Sequence, residues 1–380
     1  MQPNELKILV MCDGDPTADG LFSGAAKYLT NALDRLGVLL AKGDVSGAPG
    51  FWGGHNIATR IARRMDAFHW EARSRWSTES FARKTYAADR FATQHVDANA
   101  CLMFGTTYQP ASKCPSYCYL DATVRQVRKA RGWEFQHFDE TFANTIQAYQ
   151  QSVFDRCSCV FTFSEWAARS VVDDYGIESD RVMAVGGGSN FSIPPLDHGP
   201  YDAQRILFVG KDFERKGGPL IVEAFRRVRQ ILPNAKLVIA GCDPGIRDAG
   251  IEIVGFVGKD TAIGEQQLLE LYRDASLMCL MSSFEPFGLV VIEAGLSGVP
   301  CVTPDLFAFP ETVLDGETGR RLRTYEAAEL AEVLLELLQN PSLLKSMGAA
   351  AHDYMRGRFE WDTVAKTVAV RIANDVEKAV

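Results

Sequence analysis

The sequence predicts an α/β protein of two units in tandem, and three observations lead there. Short, nearly continuous apolar runs alternate with stretches of helical periodicity, as parallel strands covered on both faces require. The alternation starts twice, near residue 6 and again near residue 206. Between the two passes stands Ile193-Pro194-Pro195-Leu196-Asp197-His198-Gly199-Pro200, where proline and glycine block continuation of helix or strand. A chain of 380 residues exceeds one ordinary core and accommodates two such units.

The first pass opens with Leu6 to Cys12, apolar and β-branched and therefore a strand. Asp13 to Gly24 is turn-rich, and Ala25 to Leu36 has helical spacing. Ala100 to Phe104, Tyr117 to Leu120, Val160 to Phe163 and Val182 to Val185 follow as strands, with helices over Thr141 to Arg156 and Glu165 to Tyr175. The second pass gives strands at Ile206 to Val209, Lys236 to Ala240, Ile251 to Val254, Leu277 to Met281 and Val299 to Thr303. Its helices are expected at Pro219 to Ile231, about Gln266 to Asp274, from Gly288 onward, and twice after Tyr325. An amphipathic segment from Trp361 ends the chain. The domains expected are 1–197, 198–358 and a terminal helix over 359–380.

Hydrophobic residues at 47% and charged residues at 23% are the usage of a globular protein with a large core. A net charge of -8 argues against a nucleic-acid-coating surface. The nine cysteines are odd in number and mostly sit in apolar runs, as Cys159 and Cys279 do, which suits a reducing, cytoplasmic setting. Cys114, Cys118, Cys157 and Cys159 lack the paired spacing of zinc knuckles, so burial is the simpler account. The N-terminus has neither the basic start nor the apolar stretch of a signal peptide, and no segment is long enough to span a bilayer.

The pair Glu285 and Glu293 brackets Pro286-Phe287-Gly288-Leu289-Val290-Val291-Ile292, which places the second carboxylate in the most apolar helix-forming run of the chain. Desolvated and unpaired, it would cost several kcal/mol, so something must hydrogen-bond to it. Phe287, Gly288 and Leu289 offer helix N-terminal amides at the end of a strand, where ligands of open α/β sheets collect. The plain alternative is a capping carboxylate at Glu285 and an ion pair at Glu293. Upstream, Gly210-Lys211-Asp212-Phe213-Glu214-Arg215-Lys216-Gly217 sets two lysines five residues apart in a strand-to-helix loop, fit to clamp a diphosphate or, more plainly, to lie solvated.

On these residues the chain resembles the retaining glycosyltransferases of family 4. The resemblance implies the GT-B architecture: two facing Rossmann-like domains, a central cleft and a C-terminal helix crossing back to the first. It gives Glu293 the ribose hydroxyls of a nucleotide, Glu285 the donor sugar or its phosphate, and Lys211 and Lys216 the phosphates, with lysine replacing the commoner arginine at 211. Gly24 would sit beside the diphosphate, and Val257, in Val254-Gly255-Phe256-Val257-Gly258, against the base. Glu311 and the Asp315-Gly316-Glu317-Thr318-Gly319 turn also resemble the family. Many members carry a histidine where this chain has Asp121, which can accept hydrogen bonds from a sugar but cannot donate; it could equally cap the next helix. Asp13-Gly14-Asp15 looks like the metal dyad of another fold, but turn formation accounts for it more simply.

From Ile57 to Arg90, basic residues interleaved with Trp52, Trp70 and Trp76 outnumber the acidic ones; the set includes Arg73, Arg75, Arg83, Lys84 and Arg90. This suits a peripheral contact with an anionic membrane or, more plainly, a solvated helical face. The expected function is transfer of a sugar from a nucleotide-diphosphate sugar to a glycan or lipid-linked glycan hydroxyl, with the donor as substrate and with no cofactor, metal or nucleic acid. A nucleotide-sugar epimerase and a catalytically idle sugar-nucleotide-binding protein are the rivals.

Overall fold

Ile8–Cys12 (β1) is buried at all five positions, as a strand with neighbours on both edges and layers on both faces must be. In the computed structural model, residues 6–47, 73–111, 114–130, 135, 138–191, 198–259 and 261–379 are described. The chain divides into two units, Met1–Gly186 with Val364–Val380, and Gly187–Thr363. Of the segment expected to link them, 193–200, residues 193–197 lie outside the described residues.

The first unit is a six-stranded parallel sheet. Beside β1 it contains Leu39–Asp44 (β2), Ala100–Phe104 (β3), Ser116–Leu120 (β4), Cys159–Thr162 (β5) and Val182–Ala184 (β6), in the order β2-β1-β3-β4-β5-β6. Its helices are Ala25–Arg35 (α1), Thr78–Gln94 (α2), Val124–Lys129 (α3), Glu140–Arg156 (α4) and Glu165–Tyr175 (α5). The sequence does not mark β2, and most of α2 falls in the 57–90 segment whose plainer reading is a solvated helical face. The strand is half exposed, carries Lys42, Gly43 and Asp44, and shows no clean alternation. The helix lies in the segment read for its charge, though Ser77 caps it by accepting from the Ser80 amide. Cys118, Cys157 and Cys159 are buried in this unit, as their apolar settings require.

The second unit repeats the pattern with a different strand order. Arg205–Val209 (β7), Lys236–Ala240 (β8), Ile251–Gly255 (β9), Leu277–Cys279 (β10), Cys301–Pro304 (β11) and Gly319–Leu322 (β12) run parallel in the order β12-β11-β10-β7-β8-β9. Counted within the unit and read from the β9 edge, that is third, second, first, fourth, fifth, sixth, the order of dinucleotide-binding sheets. The helices are Gly218–Ile231 (α6), Ala262–Arg273 (α7), Leu289–Leu296 (α8), Phe309–Thr312 (α9), Ala327–Leu338 (α10) and Pro341–Met355 (α11). The terminal helix, Trp361–Ala379 (α12), belongs from Val364 onward to the first unit. Among the described residues, no helix is long and apolar enough to cross a membrane.

Candidate active site

In the second unit, β7 pairs with both β8 and β10, through Ile206↔Leu237 and Leu277↔Ile206. The chain leaves the carboxyl ends of β7 and β10 in opposite directions, so the sheet opens a crevice between them, the position where such folds bind ligands. The loop after β7 is bent into that crevice by its glycines. A side chain at Gly210 would begin 2.3 Å from Cδ of Lys216, and one at Gly217 would begin 2.1 Å from the Met281 carbonyl oxygen. Gly217 also has φ +77°, a backbone seldom open to other residues. The two loops are joined by hydrogen bonds, the Ser283 amide donating to the Arg215 carbonyl at 2.8 Å and Arg215 Nη1 to the Phe284 carbonyl at 2.7 Å.

This stitching brings Lys216 onto Glu285, the lysine Nζ donating to Oε2 at 2.8 Å. Ser282 Oγ donates to the same oxygen at 3.3 Å, and Arg215 Nη1 lies 3.7 Å from it. Burial pushes the Glu285 carboxyl up, but the Lys216 ammonium and the Arg215 guanidinium outweigh it and hold the group below the ordinary carboxylate range. Arg215 is a member of this cluster that the sequence reading passed over. A Gly217→Ala substitution is expected to cost roughly 1–3 kcal/mol for the left-handed backbone alone, more with the clash, as measured by urea unfolding.

Glu293 lies in the second turn of α8, with no exposed surface. Its partner within the protein is Lys259, in the loop after β9, whose Nζ lies 2.5 Å from Oε1 and 2.6 Å from Oε2. Tyr272 on α7 donates to Oε2 at 3.1 Å. Burial, and the carboxylate beside it, push the Tyr272 phenol well above its usual range. The ion pair considered as the plain alternative at Glu293 is therefore present; no sequence pattern pointed to Lys259.

Other expected residues are placed less directly. The two lysines read as one clamp have different partners, for Lys211 holds its ammonium 5.0 Å from the ring centroid of Phe256, which is 66% exposed. Val257 beside it is buried. The Phe287 side chain is buried against Phe359. Gly288 caps α8 with φ +80°, and Leu289 opens the helix. Glu285 therefore does not cap this helix, and its carboxylate goes to Lys216 instead. Glu311 is on α9, where its carbonyl accepts from the Tyr354 hydroxyl.

Gly24 and Asp121 belong to the first unit. Gly24 is the left-handed N-cap of α1, at φ +94°, and follows Phe22 and Ser23 at φ +48° and +55°, a conformation that L side chains rarely adopt. Asp121 follows β4 directly, but it does not cap α3. Thr123 does, its Oγ1 accepting from the Gln126 amide while Gln126 Oε1 accepts from the Thr123 amide. Asp121 contributes, after burial, to the upward shift of the Tyr119 phenol.

Asp15 forms the expected turn, accepting from the Thr17 amide and hydroxyl. Asp13 does more: Lys84 Nζ donates to its Oδ2 at 2.7 Å and Thr107 Oγ1 at 3.1 Å. Lys84 is 2% exposed, so it is not a surface cation as the sequence reading had it. Arg73 pairs with Asp139 at 2.6 Å, and Trp76 packs edge-on to Phe81 and Phe135. Residues 57–72 of the basic segment lie outside the described residues.

Two parallel six-stranded sheets, the second in dinucleotide-binding order with cations and carboxylates at its switch point, define a protein of the GT-B fold class. The family model described as glycosyl transferases group 1 matches residues 200–354, within the second unit. Sequence relatives include a D-inositol 3-phosphate glycosyltransferase of Streptomyces coelicolor, 38% identical over 238 residues, 53% of this chain and 52% of the relative. Glycogen synthase of Mycobacterium tuberculosis is 31% identical over 172 residues, 43% of this chain and 41% of the relative. The chain thus spans about half the length of these curated relatives. Among solved structures, sucrose-phosphate synthase of Thermosynechococcus elongatus superposes with a TM-score of 0.73 at 16% identity, over 98% of this chain and all of that one. Anabaena Alr3699/HepE in complex with UDP-glucose gives 0.63 at 13% identity, over 97% and 99%.

Proposed function

We propose that the protein is a retaining, family 4 glycosyltransferase that moves a sugar from a nucleotide-diphosphate sugar to a hydroxyl of a glycan or lipid-linked glycan. The observation that carries this reading is the Lys216–Glu285 pair at the switch point of a sheet in dinucleotide-binding order, with Glu293 on the helix that follows. The glycosyl transferases group 1 match, the relatives named above and the UDP-glucose held by HepE support it.

In this reading the donor diphosphate lies at the loop after β7. An ammonium has three donors, so Lys216 can keep Glu285 and still reach a phosphate oxygen. Glu285 in turn keeps the lysine charged and aimed. As the bond from the anomeric carbon to the diphosphate oxygen breaks, charge grows on the phosphate, where Lys216, Lys211 and the amides near Gly288 stabilise it. The acceptor oxygen forms the new bond on the same face, and its proton passes to the departing phosphate. Glu293 binds the ribose, and Glu285 accepts from a sugar hydroxyl. Because lysines supply the charge, transfer needs neither metal nor cofactor, and excess EDTA is expected to leave the rate unchanged.

The test is to incubate purified protein with UDP-, GDP- and ADP-sugars, with and without a panel of glycan and lipid-linked acceptors. Nucleoside diphosphate release that depends on acceptor, with proton NMR showing an unchanged anomeric configuration in the product, is the expected result. Conversion of the donor sugar without acceptor would identify an epimerase instead, and binding without turnover an idle binding protein.

A further inference from the structure

The glutamate assigned to the ribose already has partners on both carboxylate oxygens, and two of them on Oε2. A carboxylate offers about four acceptor sites. At Glu293 the Lys259 ammonium spans both oxygens and Tyr272 takes a further place on Oε2, while the residue as a whole has no exposed surface. A vicinal diol needs both oxygens together, so one of these partners must leave before a nucleoside can bind. Tyr272 is fixed, since it has no exposed surface and lies on α7 within the core. Lys259 is not so fixed. Its side chain is 23% exposed and is a flexible four-carbon stem on the loop between β9 and α7.

From this we infer that Lys259 is an internal competitor for the donor's ribose: it covers Glu293 in the free protein and is expelled by the nucleoside diol. The inference rests on the donor-site assignment proposed above. It resolves the energetic difficulty that the sequence posed, because the buried carboxylate has a counter-charge in the free state and diol hydroxyls in the bound state, and is exposed bare in neither. It also gives the site a chemical filter. A ligand that offers phosphates alone can meet Lys211 and Lys216 and still leave Lys259 in place; only one with both ribose hydroxyls can replace an ammonium that spans two oxygens. The affinity measured for the donor is then the intrinsic affinity reduced by the fraction of molecules in which Glu293 is uncovered.

The experiment is pulse acetylation of the full chain read by mass spectrometry, beside calorimetric titration with UDP, GDP and ADP. Lys259 is expected to acetylate slowly in the free protein and roughly tenfold faster when the nucleoside diphosphate that binds is saturating. In the Glu293→Gln variant Lys259 should be reactive from the start, with no further gain on adding nucleotide. The 2′,3′-dideoxy form of the same nucleotide should bind without accelerating the wild-type reaction. Binding of a nucleoside diphosphate with Lys259 reactivity unchanged or lowered would overturn the inference and leave the donor site standing. Equal acceleration by the dideoxy form would overturn it too, since the phosphates would then be the displacing group. If none of the three nucleotides binds, the donor-site assignment itself falls, and the competitor role falls with it.

Discussion

A Glu293→Ala variant is expected to bind its nucleotide donor ~10- to 100-fold more weakly, because hydrogen bonds to a charged group contribute roughly 1.5–3 kcal/mol. Isothermal titration with the nucleoside diphosphate is the direct measure, and the donor KM should rise in step. Part of the loss is masked, since removing the carboxylate also removes the Lys259 pair that donor binding must break. The variant should be less stable as well. Lys259 can turn to water, but the Tyr272 hydroxyl is left buried without its acceptor, at a cost of about 1–3 kcal/mol. A Glu293→Gln companion keeps the shape and one acceptor, and separates the folding effect from the binding effect.

The second large effect is expected at Lys216. Its replacement by methionine should lower kcat by ~10²- to 10³-fold, the scale of losing one group that stabilises transition-state charge. It should also expose the burial of Glu285. In the wild type that carboxyl is held below its ordinary value of 4.5, so the pair stabilises the fold above that value, and the contribution is lost as pH falls through the lower folded-state value. Without Lys216, Arg215 at 3.7 Å and Ser282 are left among the described residues to oppose burial, and the Glu285 pKa is expected to rise. The stability deficit of Lys216→Met should therefore be largest at neutral pH, on the order of 3–5 kcal/mol for a buried pair broken on one side. It should shrink in mild acid as protonation discharges the carboxylate. Urea unfolding at pH 7 and pH 5 reads this directly, and an equal deficit at both would show that Glu285 remains compensated by other groups.

The parts of the fold that were legible in the sequence are those whose burial leaves a pattern. β1, β3, β7 and β8 are apolar runs because parallel strands inside a sheet have no polar face. The edge strands β2 and β12 were missed because Lys42-Gly43-Asp44 and Arg320-Arg321 read as loop. Lys84 was read as surface charge, yet it lies in helical register with Phe81, Ala88 and Ala92, all buried, and that periodicity was available as a signal. The true cap of α3 was also legible, since Thr123 with Gln126 three residues later is a capping box and Asp121 lacks that companion.

Within the site, the sequence exposed the need at Glu293 but not what meets it. Lys259 comes from a loop with no periodicity, 34 positions away, and only the fold brings it to the carboxylate. Lys216 and Glu285 were expected to face a ligand separately; the closeness of β7 and β10 sets them on each other. Arg215 went unweighed because one more cation in a basic loop carries no distinguishing mark.

The central claim is that the carboxyl edge of the second sheet binds a nucleoside diphosphate through Glu293 and Lys216. Calorimetric titration of UDP, GDP and ADP into the wild-type protein and into folded Glu293→Ala and Lys216→Met variants tests it most directly. One nucleotide is expected to bind the wild type at a single site and both variants at least tenfold more weakly. Wild-type affinity retained in both variants would contradict the account.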